Sequence, residues 1–575
     1  MSSKPVSAGP AQPETQCGGH ILVDALLAHG AELAFGVPGE SYLAVLDGFH
    51  RRRDQMRFVI CRQEGGATVM AEAYGKLTGR PGLAFCTRGP GATNASIGVH
   101  TAFQDSTPMI LFIGQVGTDF ADREAFQEID YRRMFGQMAK WVAQIDRVER
   151  IPEYIARAYQ TATSGRPGPV VLALPEDMLT QEAAVPQLAA YQRVLSWPGD
   201  ADIERLSGML AAAERPFVLV GGSGWTPQAC AQIQQFAERF ALPVAARFAA
   251  RTCSTTGIRT TRRCRYRHQP RAGRAYPPRG PGAGDRPATR RDDHGRLCAD
   301  QCATAGATAH PCPRGRGGTG QRLPGGPDDP RFDAGHRRAS CGVAIAGNAA
   351  ALAGLDAGRA RRLRTLPDAA RVHRAGRRHG RGGAHARPPA ASRRRRDQRR
   401  GNYAGWLHRY FRYRPFAAGG RGQLAPTSGA MGYGVPAAVG AKIAFPQRTV
   451  VALAGDGCFL MNGQELATAM QYGAPVVFIV VNNGMYGTIR MHQEREYPAH
   501  VLGTELHNPD FAALARAYGA RGAIVTTTEA FEPALREALA APVSTLIEIR
   551  VDPDVITPRT TLSAIRAQAQ ASGKR

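Results

Sequence analysis

Apolar residues in this chain fall into short runs of strand length that alternate with stretches of helical spacing. Residues 21–27 carry helical periodicity, and residues 33–37 form a strand-length run closing on the turn Pro38-Gly39-Glu40. The alternation continues with a strand over 82–86, a helix over 91–105 and a strand over 109–113. Near the other end, residues 449–454 and 476–481 are two β-branched runs separated by a helical stretch. Such runs predict parallel strands of βαβ units, and their repetition predicts an α/β chain with doubly wound parallel sheets. A further unit starts near Ala201, with residues 217–220 as a strand ending in Gly221-Gly222. That turn falls short of the full GxGxxG fingerprint of a dinucleotide site.

Both C-terminal runs close on polar residues, the first on Gly455-Asp456-Gly457 and the second on Asn482-Asn483. In open α/β sheets the carboxyl ends of strands are where ligands bind. An Asp and an Asn brought together there offer hard oxygen ligands suited to Mg²⁺ holding a diphosphate. Glycines beside the Asp let backbone amides approach phosphate oxygens. Read alone, the same residues are also two ordinary strand-end turns, because Asp-Gly and Asn-Gly are common turn dipeptides.

Composition changes this picture in one place. A chain of 575 residues holds two to four domains. No segment reads as a signal peptide or a membrane span, so a cytoplasmic location is the default. The net charge of +26 points at first to a nucleic-acid partner. Residues 251–400 alone carry +25 of it, with 35 Arg, ten Asp and neither Lys nor Glu, so the rest of the chain is close to neutral. This stretch has almost no aromatic residues for base stacking, which argues against RNA. Cys298, Cys302, Cys312 and His310 fit no common zinc spacing. Only residues 343–355 within it have the character of a buried segment.

The Asp456 and Asn483 clusters, with their spacing, resemble the cofactor motif of thiamine-diphosphate-dependent enzymes. Arg62-Gln63-Glu64-Gly65-Gly66-Ala67 resembles the glutamate-bearing helix of that superfamily, and Gly89-Pro90-Gly91-Ala92-Thr93-Asn94 its next loop and helix. Gly114-Gln115-Val116 and Ala125-Phe126-Gln127-Glu128 are similar to the acetolactate (acetohydroxyacid) synthase branch. The resemblance covers residues 16–250 and 401–553. It implies a three-domain architecture: a disordered tail over 1–15, a pyrimidine-binding domain over 16–190, a central domain over 196–400, a diphosphate and Mg²⁺ domain over 401–555, and a tail over 556–575.

The resemblance also implies roles. Glu64 is the carboxylate beside the cofactor's pyrimidine ring, with Pro38, Gly39, Pro90 and Asn94 lining that side. Asp456, Asn483 and the backbone carbonyl of Met485 hold Mg²⁺, flanked by Gly455 and Gly457. Met431 props the cofactor into its bent shape, and Gln127 lies near the substrate entrance. The implied reaction is decarboxylation of a 2-oxo acid such as pyruvate and carboligation to a second one, in a homodimer or tetramer with no nucleic-acid or membrane partner. His492 stands where synthases of this branch usually show Trp, which keeps a simple 2-oxo acid decarboxylase open, as does an inactive cofactor-binding remnant. The central domain of this branch often binds FAD structurally; the composition of 251–400 argues against its retention here.

We read residues 251–400 as largely translated out of frame from a GC-rich gene. Codons compatible with residues 251–261, read from another offset, spell Asp-Leu-Phe-Asp-Asn-Arg-His-Pro-Asn-Tyr, which resembles what the family carries after the Leu242-Pro243-Val244 strand. Residues 395–400 re-read as Val-Val-Thr-Asn-Gly-Ala, joining smoothly onto Gly401-Asn402-Tyr403. The two re-readings use different offsets. Sequencing the gene across this region is expected to show more than one slip; an intact frame with no family-like alternative would sink the reading.

Overall fold

The computed structural model describes residues 14–186, 189–222, 225–246, 396–400, 422–557 and 560–573. The tail expected over 1–15 lies outside these except for its last two residues, as do the cysteines weighed for zinc, segment 343–355, and all of 251–400 except 396–400.

The N-terminal half is built on strands β2 (Leu33–Gly36), β3 (Arg57–Ile60), β4 (Gly82–Cys86), β5 (Met109–Gln115), β6 (Trp141–Gln144) and β7 (Pro169–Pro175), in the order β3-β2-β4-β5-β7-β6. All pairs are parallel. A short antiparallel pair, β1 (Thr15–Cys17) with β8 (Glu182–Ala184), ties the two ends of this half together. Successive side chains alternate between two cores, as the two-residue strand period requires. Ile110 and Phe112 face the helices Gly18–Ala28 and Ile151–Thr163, whereas Leu111 and Ile113 face the helices Glu64–Thr78 and Gly89–Asp105. The sheet is therefore doubly wound, as expected.

A small βαβ unit follows, β9 (Val218–Val220) parallel to β10 (Val244–Ala246) across the helix Pro227–Arg239. The C-terminal half is a second parallel sheet: β11 (Arg396–Arg400), β12 (Gln423–Leu424), β13 (Thr449–Gly455), β14 (Val477–Asn482), β15 (Arg521–Val525) and β16 (Thr545–Arg550), in the order β12-β11-β13-β14-β16-β15. Strand β11 lies inside this sheet, with Arg396 opposite Thr449 and Arg400 opposite Leu453. An interior parallel strand ordinarily reads as a β-branched apolar run. This one reads Arg-Asp-Gln-Arg-Arg, at the position where the alternative codon reading supplies Val-Thr-Asn-Gly-Ala.

The two halves share one core. The face of the first sheet bearing Leu111 and the face of the second bearing Ala452 and Phe478 contribute to a single buried cluster, filled by the Glu64–Thr78 and Gly434–Ala444 helices. Their approach is close: a Cβ added at Gly440 would come within 2.9 Å of the Met70 Cβ. A polar network joins the same elements. Glu72, fully buried, accepts from the Tyr433 hydroxyl at 2.6 Å and from Thr107 Oγ1 at 2.7 Å, and pairs with Lys76 Nζ at 2.9 Å. Lys76 also pairs with Asp105, which accepts from the Thr427 backbone N–H at 2.7 Å.

The expected tail over 556–575 is instead partly folded. Leu562–Ala571 is a helix capped by Thr561, which accepts from the Ala564 N–H at 3.2 Å. Leu562, Ile565 and Ala569 recur at helical spacing and are buried, which gives the segment a reason to dock.

Replacing Lys76 by Met leaves the buried carboxylates of Glu72 and Asp105 without their cation. Loss of one partner of a buried ionic network costs about 3–5 kcal/mol, so the urea midpoint is expected to fall accordingly. A loss below about 1 kcal/mol, the range of an exposed pair, would show that the network does not bind the halves.

Candidate functional site

Strands β2, β3 and β4 run parallel, so the segments that leave their carboxyl ends emerge on one edge. Pro38 and Gly39 follow β2; at Gly39 a Cβ would come within 2.5 Å of Thr87, so the turn after β2 and the turn after β4 touch only because glycine stands there. Glu64 follows β3 and opens the helix Glu64–Thr78. Its carboxylate does not cap that helix. Gln63 does, accepting from the Gly66 N–H at 3.0 Å, while the buried Glu465 of the C-terminal half accepts from the Arg62 and Gln63 N–H groups at 3.1 Å each. Burial raises the pKa of Glu465 above the usual carboxylate range. Glu64 is thereby left to face Asn94, whose Nδ2 donates to its Oε2 at 2.9 Å. Pro90 is exposed in the first turn of the helix that carries Asn94. The Gly89 N–H donates to the carbonyl of Gln127 at 2.9 Å, which brings Gln127 to the same edge in a left-handed conformation, φ 63°.

The second set gathers at the carboxyl ends of β13 and β14, which are adjacent, Gly455 standing opposite Val481. Asp456 and Asn483 are both buried. Burial raises the Asp456 pKa, opposed by hydrogen bonds from Asn508 and from the N–H groups of Gly457, Gly484 and Met485. No ion pair to Asp456 is found among the described residues. A buried carboxylate without a counter-charge is costly unless a cation offsets it. The Met485 carbonyl accepts from the Gly487 N–H at 2.9 Å and keeps a second lone pair. A carboxylate, an amide and a peptide carbonyl thus stand at the ends of two neighbouring strands, a donor set that fits a hard divalent cation. Gly457 has a further reason to be glycine: a Cβ there would strike the Tyr486 ring at 2.6 Å. Met431 sits between Gly429 and Gly432, both at positive φ, and packs against the shared core; Asn462 Nδ2 donates to the Gly432 carbonyl at 3.1 Å.

Within one chain, no hydrogen bond or ion pair among the described residues joins Glu64 to Asp456 or Asn483. The helices that carry the two sets expose large apolar side chains, Ile97 beside Asn94, and Leu460 and Met461 beyond Asp456. Glu465, Asn462 and Asn508 were not singled out from the sequence. A Glu in the apolar helical stretch Gln464-Glu465-Leu466-Ala467 was the one available signal; Asn508-Pro509 reads as a turn.

The helix Gly487–Glu496 follows directly from the Met485 loop, and the Leu562–Ala571 helix covers it through Met491, Ile556, Leu562 and Ile565. Glu494, buried, accepts from Arg566 Nε at 2.7 Å and from the Ala499 N–H at 3.0 Å, and pairs with Arg490 at 3.2 Å. Its carboxyl is pulled down to about 2, chiefly by Arg566.

Comparison with known proteins now bears on these two sets. Residues 16–134 match the thiamine pyrophosphate enzyme N-terminal TPP-binding domain, and residues 400–549 match the corresponding C-terminal TPP-binding domain. The fold is that of a thiamine-diphosphate enzyme. The acetolactate synthase large subunit of Parasynechococcus marenigrum is 30% identical over 94% of this chain and 88% of its own length. That of Haemophilus influenzae is 29% identical over 91% and 92%. The chain belongs to the acetolactate synthase large-subunit family. A thiamine-diphosphate-dependent 4-hydroxybenzoylformate decarboxylase from Rhodococcus jostii shares the fold, with a TM-score of 0.65 at 23% identity over 93% of this chain and 99% of that one.

The low pKa of Glu494 gives the C-terminal cover an acid limit. Its contribution is fully present above the ordinary value of 4.5 and is lost as the pH falls through about 2. Amide exchange in residues 562–571 is expected to accelerate over that window ahead of the core strands, and Glu494→Gln to remove the pH dependence. Unchanged protection down to pH 2 would refute the latch.

Proposed function

We propose that this enzyme decarboxylates a pyruvate-like 2-oxo acid and ligates the remaining two-carbon unit to a second 2-oxo acid, with thiamine diphosphate and Mg²⁺ bound. Thiamine diphosphate supplies the electron sink for decarboxylation. In this reading Asp456, Asn483 and the Met485 carbonyl hold Mg²⁺, with Gly455 and Gly457 shaping the turn around them. Glu64, oriented by Asn94, holds and returns a proton at the pyrimidine ring. Pro38, Gly39 and Pro90 line the ring's side, Met431 supports the bend of the cofactor, and Gln127 stands where substrate enters. The observation that carries the reading is the buried, uncompensated Asp456 beside Asn483 in a chain of this family.

The two half-sites belong to different subunits of a homodimer or of a tetramer built from such dimers. The apolar side chains Ile97, Leu460 and Met461, exposed on the helices that carry the two sets, support this. The reading does not require FAD. A cytoplasmic setting is part of this proposal; no described helix is long and apolar enough to cross a membrane. A simple 2-oxo acid decarboxylase is the second reading, favoured by His492, which is exposed beside Arg495 where synthases of this branch usually carry Trp.

Purified protein given pyruvate, thiamine diphosphate and Mg²⁺ is expected to form acetolactate; free aldehyde instead would favour the second reading. Glu64→Gln is expected to lower kcat by about 10²–10⁴-fold, the usual worth of a positioned acid–base group, with cofactor binding by calorimetry retained. Cofactor binding without either product would identify an inactive remnant.

A further inference from the structure

Asp456 is gripped by a residue some fifty positions away. Asn508 Nδ2 donates to Asp456 Oδ2 at 2.8 Å and to Asn482 Oδ1 at 2.9 Å. The direction of these bonds is fixed from the far end. Arg550 Nε donates to Glu548 Oε1 at 2.9 Å, and the same oxygen, as a carboxylate, can only accept from Asn482 Nδ2 at 2.8 Å. Asn482 must then turn its Oδ1 outward, where it accepts from the Gly484 N–H at 3.1 Å and from Asn508. Asn508 is left with one orientation, its amide nitrogen toward the Asp456 carboxylate. Its own Oδ1 is buried without a partner among the described residues.

The main chain around Asn508 does not depend on that side chain. Tyr486 N–H donates to the Thr504 carbonyl and Leu506 N–H to the Gly484 carbonyl, each at 2.8 Å, and Met485 forms an antiparallel bridge with Glu505. The segment is thus pinned to the loop that carries Asn483 and Met485 before Asn508 makes any contact. What the side chain adds is directed at Asp456.

We propose that Asn508 is a positioning residue that holds the Asp456 carboxylate in its cation-binding orientation; this rests on the Mg²⁺ site proposed above. Asp456 is one of two side-chain oxygen donors in that site. Freed from Asn508, it would spread over more rotamers, and the cation would have to select the competent one.

The test uses the full-length chain with Mn²⁺ as the probe, titrated in the presence of thiamine diphosphate and followed by electron paramagnetic resonance and calorimetry. Asn508→Ala is expected to weaken Mn²⁺ binding about tenfold, the apparent loss when about one Asp456 conformer in ten is competent, and so to lower the thermal midpoint of the Mn²⁺-saturated protein more than that of the metal-free protein. Asn508→Asp sets two carboxylates side by side. It is expected to lower the metal-free midpoint and to widen the gap between metal-free and Mn²⁺-saturated protein beyond the wild-type gap. Mn²⁺ affinity of the Ala variant within twofold of wild type, or an unwidened gap in the Asp variant, overturns the proposal. Wild-type protein that binds no Mn²⁺ overturns the metal site itself, and this proposal with it.

Discussion

The approach of two helices, Glu64–Thr78 and Gly434–Ala444, is the contact on which the rest of the described structure depends. Gly440 lets them meet at backbone distance, and the side chains around that point belong to one core drawn from both sheets. Burying an apolar face of this size is the dominant favourable term in folding. Because the helix that begins at Glu64 is the one so buried, the position of Glu64 is set by the C-terminal half of its own chain. The Glu72–Lys76–Asp105 network and Glu465 add direction to a contact that packing alone would leave free to slide.

This arrangement separates the joining of the halves from the central region. Tyr433, Thr427 and Glu465 come from residues after 421 and their polar partners Glu72, Asp105, Arg62 and Gln63 from residues before 110, while the buried residues of the shared core come from 33–173 and 435–546. Among the described residues, the Arg-rich stretch contributes the backbone ladder of β11 to this body. A family resemblance that survives on both sides of that stretch therefore corresponds to one joint body among the described residues.

The sheets were legible in the sequence because their strands are buried on both faces, and residues 109–113 or 476–481 have no other way to satisfy that pattern. The polar strand ends were legible for a related reason, since Asp456 and Asn483 interrupt apolar runs at a fixed place. Gly39 was assigned to the cofactor's side, and its contact with Thr87 gives it a structural task as well. What could not be read were side chains whose meaning lies in a distant partner. Glu465 looks like an ordinary helix residue until Arg62 and Gln63 are placed above it, and Asn508 looks like a turn until Asp456 is placed beside it. The helix Leu562–Ala571 was missed because its apolar spacing is short and its surroundings are polar. Residues 251–400 remain legible only as composition.

The bonds between Glu465 and the Arg62 and Gln63 amides span about four hundred residues of sequence. At a synthesis rate of roughly 5–20 residues per second, the N-terminal half waits on the order of 20–80 seconds for the partner that covers it. During that interval Val69, Ala73 and Leu77, which end up against Leu424, Ala437 and Ala441, stand open on the emerging chain. The ribosome-bound intermediate therefore carries open apolar surface, the kind that makes partly folded chains prone to associate.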